Sequence, residues 1–371
     1  MIPNEVIIDL GAIRHNLSEI KRLAGRETRI AAVVKSDAYG HGMIPVAKTL
    51  ESAGIDYFGV FEFQEGLDLR QADCKVPILI MMGITADEVS GVVENQLTAA
   101  LFQRDIAEKL SKTALERGVT APVHVKVDTG MTRLGVAWAD VADFLRSLSP
   151  LKGIRLEGIF SHLAVADAPD EPFTGEQIRR FSHAVDESRR MGVCEDAVHV
   201  ANSAALLGKR GLDVSMIRPG ILLYGSPPSA GWKAASTFRP AMTFRSQVVQ
   251  VRRVPAGTSV SYGRTYTTPE SAVIATIPVG YDDGYSRKLS NQGEVLLHGT
   301  RVPVVGRVCM NLTMLDVSSL KGVAVGDEVV LLGVQGEGQI TAEEIAEKTG
   351  TISYDVYCSL GKSNRRTYVD S

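Results

Sequence analysis

The sequence predicts an α/β fold: an N-terminal (β/α)8 TIM-type barrel over residues 1–235, followed by a mostly-β domain over residues 236–371. Three observations lead there. About eight short apolar runs alternate with amphipathic stretches in the first two thirds of the chain, as strands and helices alternate around a parallel sheet. The segment SPPSAGWKAASTFRP at 226–240 interrupts that alternation with turn-forming residues and reads as a linker. Beyond it, short β-like runs follow one another with a single helical interruption. A length of 371 residues also fits two domains better than one.

The expected barrel strands are RIAAVVK, ending at Lys35, and the runs near 57–61, 76–81, 97–102, 122–128, 156–160, 197–202 and 214–220. Each is short and is bounded by turn residues or by a helical pattern. In the first helical segment, DLGAIRHNLSEIKRLAG, Asp9 stands where a capping side chain is needed. Ile13, Leu17, Ile20 and Leu23 then fall on one face, and Gly25 supplies a stop. Gly54, Gly118 and Gly192 are placed to end later helices. A doubly wound open sheet would display a similar alternation. In the second part the strands are QVVQVRRV, AVIATIPVG, EVLLHGTRVPVVGRV, LTMLDVS and DEVVLLG, with a hairpin turn at His298-Gly299-Thr300 and one helix, ITAEEIAEKTG.

Composition narrows the function classes. A hydrophobic fraction of 44% and a charged fraction of 22% are those of a soluble globular protein. The net charge is −3 and no basic tract is present, which argues against a nucleic-acid partner. No apolar run approaches the roughly 18 residues of a membrane span. The start, MIPNEVIIDL, lacks the basic flank and cleavage site of a signal peptide. Cys74, Cys194, Cys309 and Cys358 have no metal-ligand spacing. No metal site is expected, and they read as reduced thiols of a cytoplasmic protein.

The expected site is a matter of position. Lys35, Lys126, His162, Asn202, Ser203 and Arg218 all stand at the C-terminal ends of proposed barrel strands. In a barrel these ends converge on one face, where active sites are built. One polar residue closing a strand means little, but several on different strands predict a site. A lysine at a strand end is ordinarily exposed. Partial desolvation would instead lower its pKa and suit Schiff-base formation, and the neighbouring Tyr39 and Gly40 would suit a phosphorylated cofactor.

The segment AAVVKSDAYGHG is similar to the cofactor-lysine motif of alanine racemases, barrel-type enzymes dependent on pyridoxal 5′-phosphate (PLP). KVDTGMTRLG, FSHLAVAD, HVANSAA, IRPGILLYG, VSYGRTY, GYDDGY, GRVCM and TISYDV match the same family in order, over essentially the whole chain. The resemblance implies interconversion of L- and D-alanine, with D-alanine supplied for peptidoglycan. It implies that Lys35 carries PLP and that Tyr39, Ser203, Gly220, Ile221 and Tyr354 bind its phosphate; backbone N–H groups at Gly220 and Ile221 suit an anion. Arg218 would face the pyridine nitrogen. An arginine, with a pKa above about 12, does not readily give up a proton, so the ring stays a weaker electron sink, which suits an enzyme that only moves a proton.

By the same resemblance, His162 packs on the cofactor ring and Arg133 orients the substrate carboxylate. A carbamylated, anionic Lys126 would hold Arg133. Lys35 and Tyr262 would be bases on opposite faces of the substrate carbon. A tyrosine with an ordinary pKa near 10 is a poor base and needs positive charge nearby. Tyr262, Tyr281 and Met310 would enter the site from the other subunit of a homodimer, and Arg287 and Asp167 would line the approach. One departure stands out: Asn311 occupies a position where many family members carry Asp. The competing expectations are a serine or broad-specificity racemase of the same family, a barrel-type PLP decarboxylase, and a non-catalytic PLP-binding protein. The SYG, GRVCM and TISY segments speak against the decarboxylase. A β domain carrying Tyr262 separates the racemase from the PLP-binding protein.

Overall fold

The first helix, Leu10–Ala24, forms where its signals place it. The Asp9 carboxylate accepts the Ala12 N–H at 3.1 Å, and the Gly25 N–H returns to the Lys21 carbonyl at 3.1 Å. Ile13, Leu17 and Ile20 are buried, each contributing about 1.5–3 kcal/mol by leaving water. The helices Met43–Ser52, Arg104–Glu116 and Phe173–Arg190 end just before Gly54, Gly118 and Gly192. Those glycines have φ of 72°, 69° and 66°, a left-handed conformation that glycine adopts without strain. The computed structural model describes residues 4–168, 171–192, 196–208, 213–229, 232 and 236–371. Cys194 and part of the 226–240 segment lie outside these; Cys74, Cys309 and Cys358 are free thiols. Among the described residues no helix is long and apolar enough to cross a membrane.

In chain order the strands of the first part are β1 (Glu5–Asp9), β2 (Arg29–Val33), β3 (Tyr57–Val60), β4 (Ile78–Ile80), β5 (Thr98–Leu101), β6 (Ala121–Asp128), β7 (Val136–Ala137), β8 (Ile154–Phe160), β9 (Ala197–His199) and β10 (Met216–Ile217). The barrel order is β10-β2-β3-β4-β5-β6-β8-β9, with parallel pairing throughout. β9 and β10 approach through separate bonds rather than a ladder: Ser215 N–H to Val198 O at 3.1 Å and Arg218 N–H to Ala201 O at 2.9 Å. The cylinder is thus nearly closed, which removes the open-sheet alternative. Its interior is filled by Ala31, Tyr57, Leu79, Ala100, Phe160, Ala197 and Met216. The opposite faces of the strands pack on the helices.

The second part is mostly β, with departures from expectation. β1 pairs antiparallel with Met242–Gln247 and parallel with Arg366–Val369, so both ends of the chain join the sheet that holds Glu294–Leu297, Thr300–Pro303 and Glu328–Gln335. The run QVVQVRRV is not one strand. The chain leaves that sheet after Gln247, and Gln250–Val254 pairs with Ala272–Ile277 in a separate sheet. His298 and Gly299, with φ of 53° and 76°, form the tight turn between Glu294–Leu297 and Thr300–Pro303.

A second helix, Ser353–Ser363, accompanies the expected Ala342–Thr349. Its sequence is rich in strand formers (Tyr354, Val356, Tyr357), whose local preference is overridden by packing. A Cβ on Gly361 would lie 1.9 Å from the Gly40 carbonyl oxygen, and one on Gly40 would lie 2.4 Å from that of Tyr357. Two glycines thereby let this helix lie directly against the turn that follows Lys35.

Candidate active site

Beyond β2 the chain passes through Lys35–Tyr39 in an unusual way. Ser36, Asp37, Ala38 and Tyr39 all have φ between 53° and 56°, a left-handed turn costing about 1–2 kcal/mol for each residue with a side chain. Hydrogen bonds hold it: Ala38 N–H to Val34 O at 2.8 Å, Gly40 N–H to Ser36 O at 3.1 Å, and Met43 N–H to the Asp37 carboxylate at 2.7 Å. Arg366, from the last strand, pairs with Asp37 and donates to the Gly40 carbonyl. The turn leaves Lys35 half-buried at the barrel rim. Burial, and then the Arg133 charge, hold its amine below the ordinary lysine pKa, while Glu65 and Cys358 act in the opposite sense.

The same turn buries Tyr39, whose ring lies 5.1 Å from that of Tyr224 and 5.7 Å from that of Tyr354. Its hydroxyl faces the backbone of Gly220, where a Cβ would sit 2.6 Å from the phenol oxygen. The Ser203 hydroxyl accepts the Gly220 N–H at 3.0 Å. Asn202 caps the short helix beginning at Ser203, and Ile221 opens a 3-10 turn, Ile221–Tyr224. Tyr39, Ser203, Gly220, Ile221 and Tyr354 therefore form one cradle of hydroxyls and backbone at the mouth of the barrel. Burial, reinforced by Asp167, raises Tyr354 to about 12, so its hydroxyl keeps its proton.

Arg218 is buried, and its guanidinium donates to His199 Nδ1 at 2.8 Å, His199 O at 2.7 Å and Ser161 O at 2.6 Å, with His162 Nδ1 at 3.5 Å. Among the described residues it has no carboxylate partner, and burial alone brings its pKa to about 9. His199 also meets His124, Nε2 to Nδ1, at 2.8 Å. Because the guanidinium only donates, a neutral His199 must accept at Nδ1 and donate from Nε2. His162 is driven to about 3 by burial and then by Arg218 and Arg133; it is a neutral ring at the rim. Lys126 is buried, with Nζ donating to Met81 O at 2.8 Å. Burial, Arg218, Arg133 and Lys35 lower it to about 7.

Tyr262, Tyr281, Met310, Asn311 and Arg287 form a second group. Tyr262 stands on the turn between strands Ser259–Val260 and Tyr266–Thr267. The adjoining Ser261 hydroxyl donates to Arg307 O at 2.6 Å. Tyr281 N–H and Asp282 N–H both donate into the GRVCM segment, to Cys309 O and Met310 O, at 3.0 Å, and Asn311 donates to Asp282 at 3.3 Å. The side chains project outward: Tyr262 is 72% exposed, Met310 54% and Tyr281 43%. Within one chain, then, the expected residues fall into a rim group that is mostly buried or half-buried, with Arg133 at its exposed edge, and an exposed group.

The family model described as the alanine racemase N-terminal domain matches residues 8–228, and that of the alanine racemase C-terminal domain matches residues 241–368. The chain belongs to the alanine racemase family. An alanine racemase of Syntrophobacter fumaroxidans is 46% identical over 363 residues, covering 98% of this chain and 96% of that protein. The solved alanine racemase of Clostridium difficile 630 superposes with a TM-score of 0.93 at 37% identity, covering 100% of this chain and 97% of that one. An alanine racemase from Bartonella henselae, solved with covalently bound pyridoxal phosphate, has a TM-score of 0.90 at 27% identity, with both chains covered completely. The protein is thus an isomerase with a racemase fold.

Several residues that hold this rim are not singled out by sequence reasoning: Glu65, Asp37, Arg366, His124 and His199. His199 stands in the HVANSAA segment, yet nothing local indicates that it meets Arg218. Glu65 and Arg366 reach the Lys35 turn from other elements, and only the folded chain reveals them.

Proposed function

We propose that the protein interconverts L- and D-alanine with PLP held through Lys35, and that each active site is completed by a second copy of the chain. The observation that carries this reading is the division just described: a polar cradle beside Lys35, and an exposed group around Tyr262 that no side chain covers among the described residues. An exposed cluster of large side chains calls for a covering surface, and a C2 pairing brings the same patch of each copy to the other.

The residues present suit PLP. The Gly220 backbone would be closed off by any Cβ, which fits close approach of a phosphate. Arg218, a buried donor without a carboxylate partner among the described residues, fits a ring nitrogen that accepts a hydrogen bond. PLP, when bound, draws electrons from the substrate's α-carbon and makes its hydrogen acidic. Tyr39, Ser203, Gly220, Ile221 and Tyr354 would bind the phosphate. With a pKa near 9, Arg218 keeps its proton at neutral pH and donates without transferring it. His162, held neutral, would pack beside the ring.

Lys35, its amine made less basic by burial, takes or returns the proton on one face; Tyr262 of the partner subunit serves the other. Two bases allow inversion without rotating the substrate. Arg133 is exposed at the rim and binds the substrate carboxylate, with Met310 and Tyr281 of the partner subunit shaping the pocket and Arg287 and Asp167 lining the approach. Lys126, at about 7, is substantially an uncharged amine in mildly alkaline solution. In that form it can add carbon dioxide, releasing a proton and becoming a carbamate anion that would hold Arg133. The D-alanine formed would supply peptidoglycan.

The test is chiral analysis of products after the PLP-loaded protein is incubated separately with each L-amino acid, together with borohydride fixation of the cofactor. Racemised alanine and a label on the peptide containing Lys35 are expected. Faster racemisation of serine would overturn the substrate assignment, and a label on another lysine would overturn the site. Asn311 gives a narrower prediction. Asn311→Asp places a second carboxylate beside Asp282, and the added negative charge near a substrate carboxylate should raise KM for alanine a few-fold while leaving the cofactor absorbance unchanged. Steady-state kinetics identical to wild type with both alanine and serine would show the position to be neutral.

A further inference from the structure

Three amide protons near Lys35 converge on one side chain. Glu65 Oε1 accepts the Ser36 N–H at 2.5 Å, and Oε2 accepts the Phe61 N–H at 2.7 Å and the Glu62 N–H at 3.5 Å. Ser36 directly follows Lys35 and is the first residue of the left-handed turn. Phe61 follows β3, and the Lys35 ammonium lies 5.6 Å from its ring centre. The pairing of β2 with β3 reaches Val33 and Gly59, and a last bond joins Val34 N–H to Gly59 O at 3.0 Å. Past that point no further β2–β3 backbone bond follows among the described residues, although β3 stays paired with β4 through Val60 and Ile80. A single carboxylate spans the gap.

Glu65 also stands three residues after Glu62, the N-cap of helix Phe63–Gln71, in a capping box. Capping by itself calls only for the bond to the Glu62 N–H, which is the longest of the three. The two shorter bonds go to the barrel rim. We propose that Glu65 is a positioning residue: by accepting the Ser36 and Phe61 amide protons together, it holds the left-handed turn and sets the direction in which Lys35 enters the site. This rests on the role of Lys35 given under Proposed function. Arg133 lowers the pKa of the Lys35 amine and Glu65 and Cys358 raise it. Lys126 is a further amine that interacts with it, and burial pushes the Cys358 thiol up, so Glu65 is a source of negative charge that favours the protonated lysine nitrogen.

The inference is tested on the PLP-loaded protein with Glu65→Gln, Glu65→Ala and, as a capping control, Glu62→Ala. A glutamine has one acceptor oxygen and a donor amide in place of two acceptor oxygens, so in the same pose one of the two N–H groups would face another donor. Glu65→Gln should lower kcat by about tenfold or more, since small misplacements of a reacting group carry large rate losses. KM for alanine should change little. The pH titration of the visible cofactor absorbance should move to lower pH, because an anion beside the lysine nitrogen has gone. Glu65→Ala should show the same shift with a larger rate loss, and it supplies the answer if the glutamine variant does not fold. Glu62→Ala should lower the thermal midpoint and leave the titration in place.

A wild-type titration and kcat in the folded Glu65 variants would overturn the inference, as would an equal shift in Glu62→Ala. Borohydride labelling of wild type separates the two levels. A label on Lys35 with unaffected Glu65 variants rejects the positioning role alone, whereas a label on another lysine rejects the Lys35 reading and this inference together.

Discussion

Refolding Lys35→Ala chains together with Tyr262→Phe chains should restore about a quarter of wild-type racemase activity, although each variant alone is nearly inactive. The argument is geometric. In a homodimer of either variant, both sites lack one base. In a mixed dimer the Lys35→Ala rim meets the Tyr262→Phe hairpin, so one site carries both defects. The other site joins an intact Lys35 to an intact Tyr262. Random pairing makes about half of the dimers mixed, each with one good site of its two. Activity is measured after co-refolding, with the mixed species quantified by mass spectrometry. If mixed dimers form and no activity returns, the shared site is wrong. The exposure of Tyr262, at 72%, would then need another explanation.

The second large effect is directional. Tyr262→Phe in deuterated water should suppress exchange of the α-hydrogen of one alanine enantiomer by about 10²–10⁴-fold, the usual contribution of a positioned acid or base. Exchange from the other enantiomer, served by Lys35, should fall far less. Lys35 cannot be probed as cleanly, because its substitution also removes the attachment point of the cofactor. Proton NMR of each enantiomer, incubated separately, reads both rates. Equal suppression from both sides would argue against two face-specific bases. An ordinary phenol is a poor base, so this role requires cations near Tyr262 in the assembled site.

Much of the architecture was legible because it depends on local signals. Asp9 and Gly25 mark the first helix through capping and backbone freedom. The eight short apolar runs mark buried parallel strands, whose both faces are covered. The strand-end positions of Lys35, Lys126, His162, Ser203 and Arg218 pointed to one rim, because a barrel gathers the C-terminal ends of its strands. Less was visible where long-range packing decides. β1 was missed since its pairing partners, Met242–Gln247 and Arg366–Val369, are far away in sequence. The helix Ser353–Ser363 was missed because its strand-forming residues are overruled by close contact through Gly40 and Gly361.

The sequence by itself determined the alternation of elements, the residues at the strand ends and the family likeness, all of which reside in spacing and residue type. Tertiary structure alone decided how those residues are held. The left-handed turn after Lys35 violates local backbone preference and persists because Glu65 and Arg366 arrive from other elements to bond it, while Asp37 within the turn accepts the Met43 N–H. Arg218 likewise owes its lowered pKa to burial and its orientation to His199. Neither property is written in the residues beside it, because hydrogen bonds and desolvation depend on which distant groups folding brings within reach.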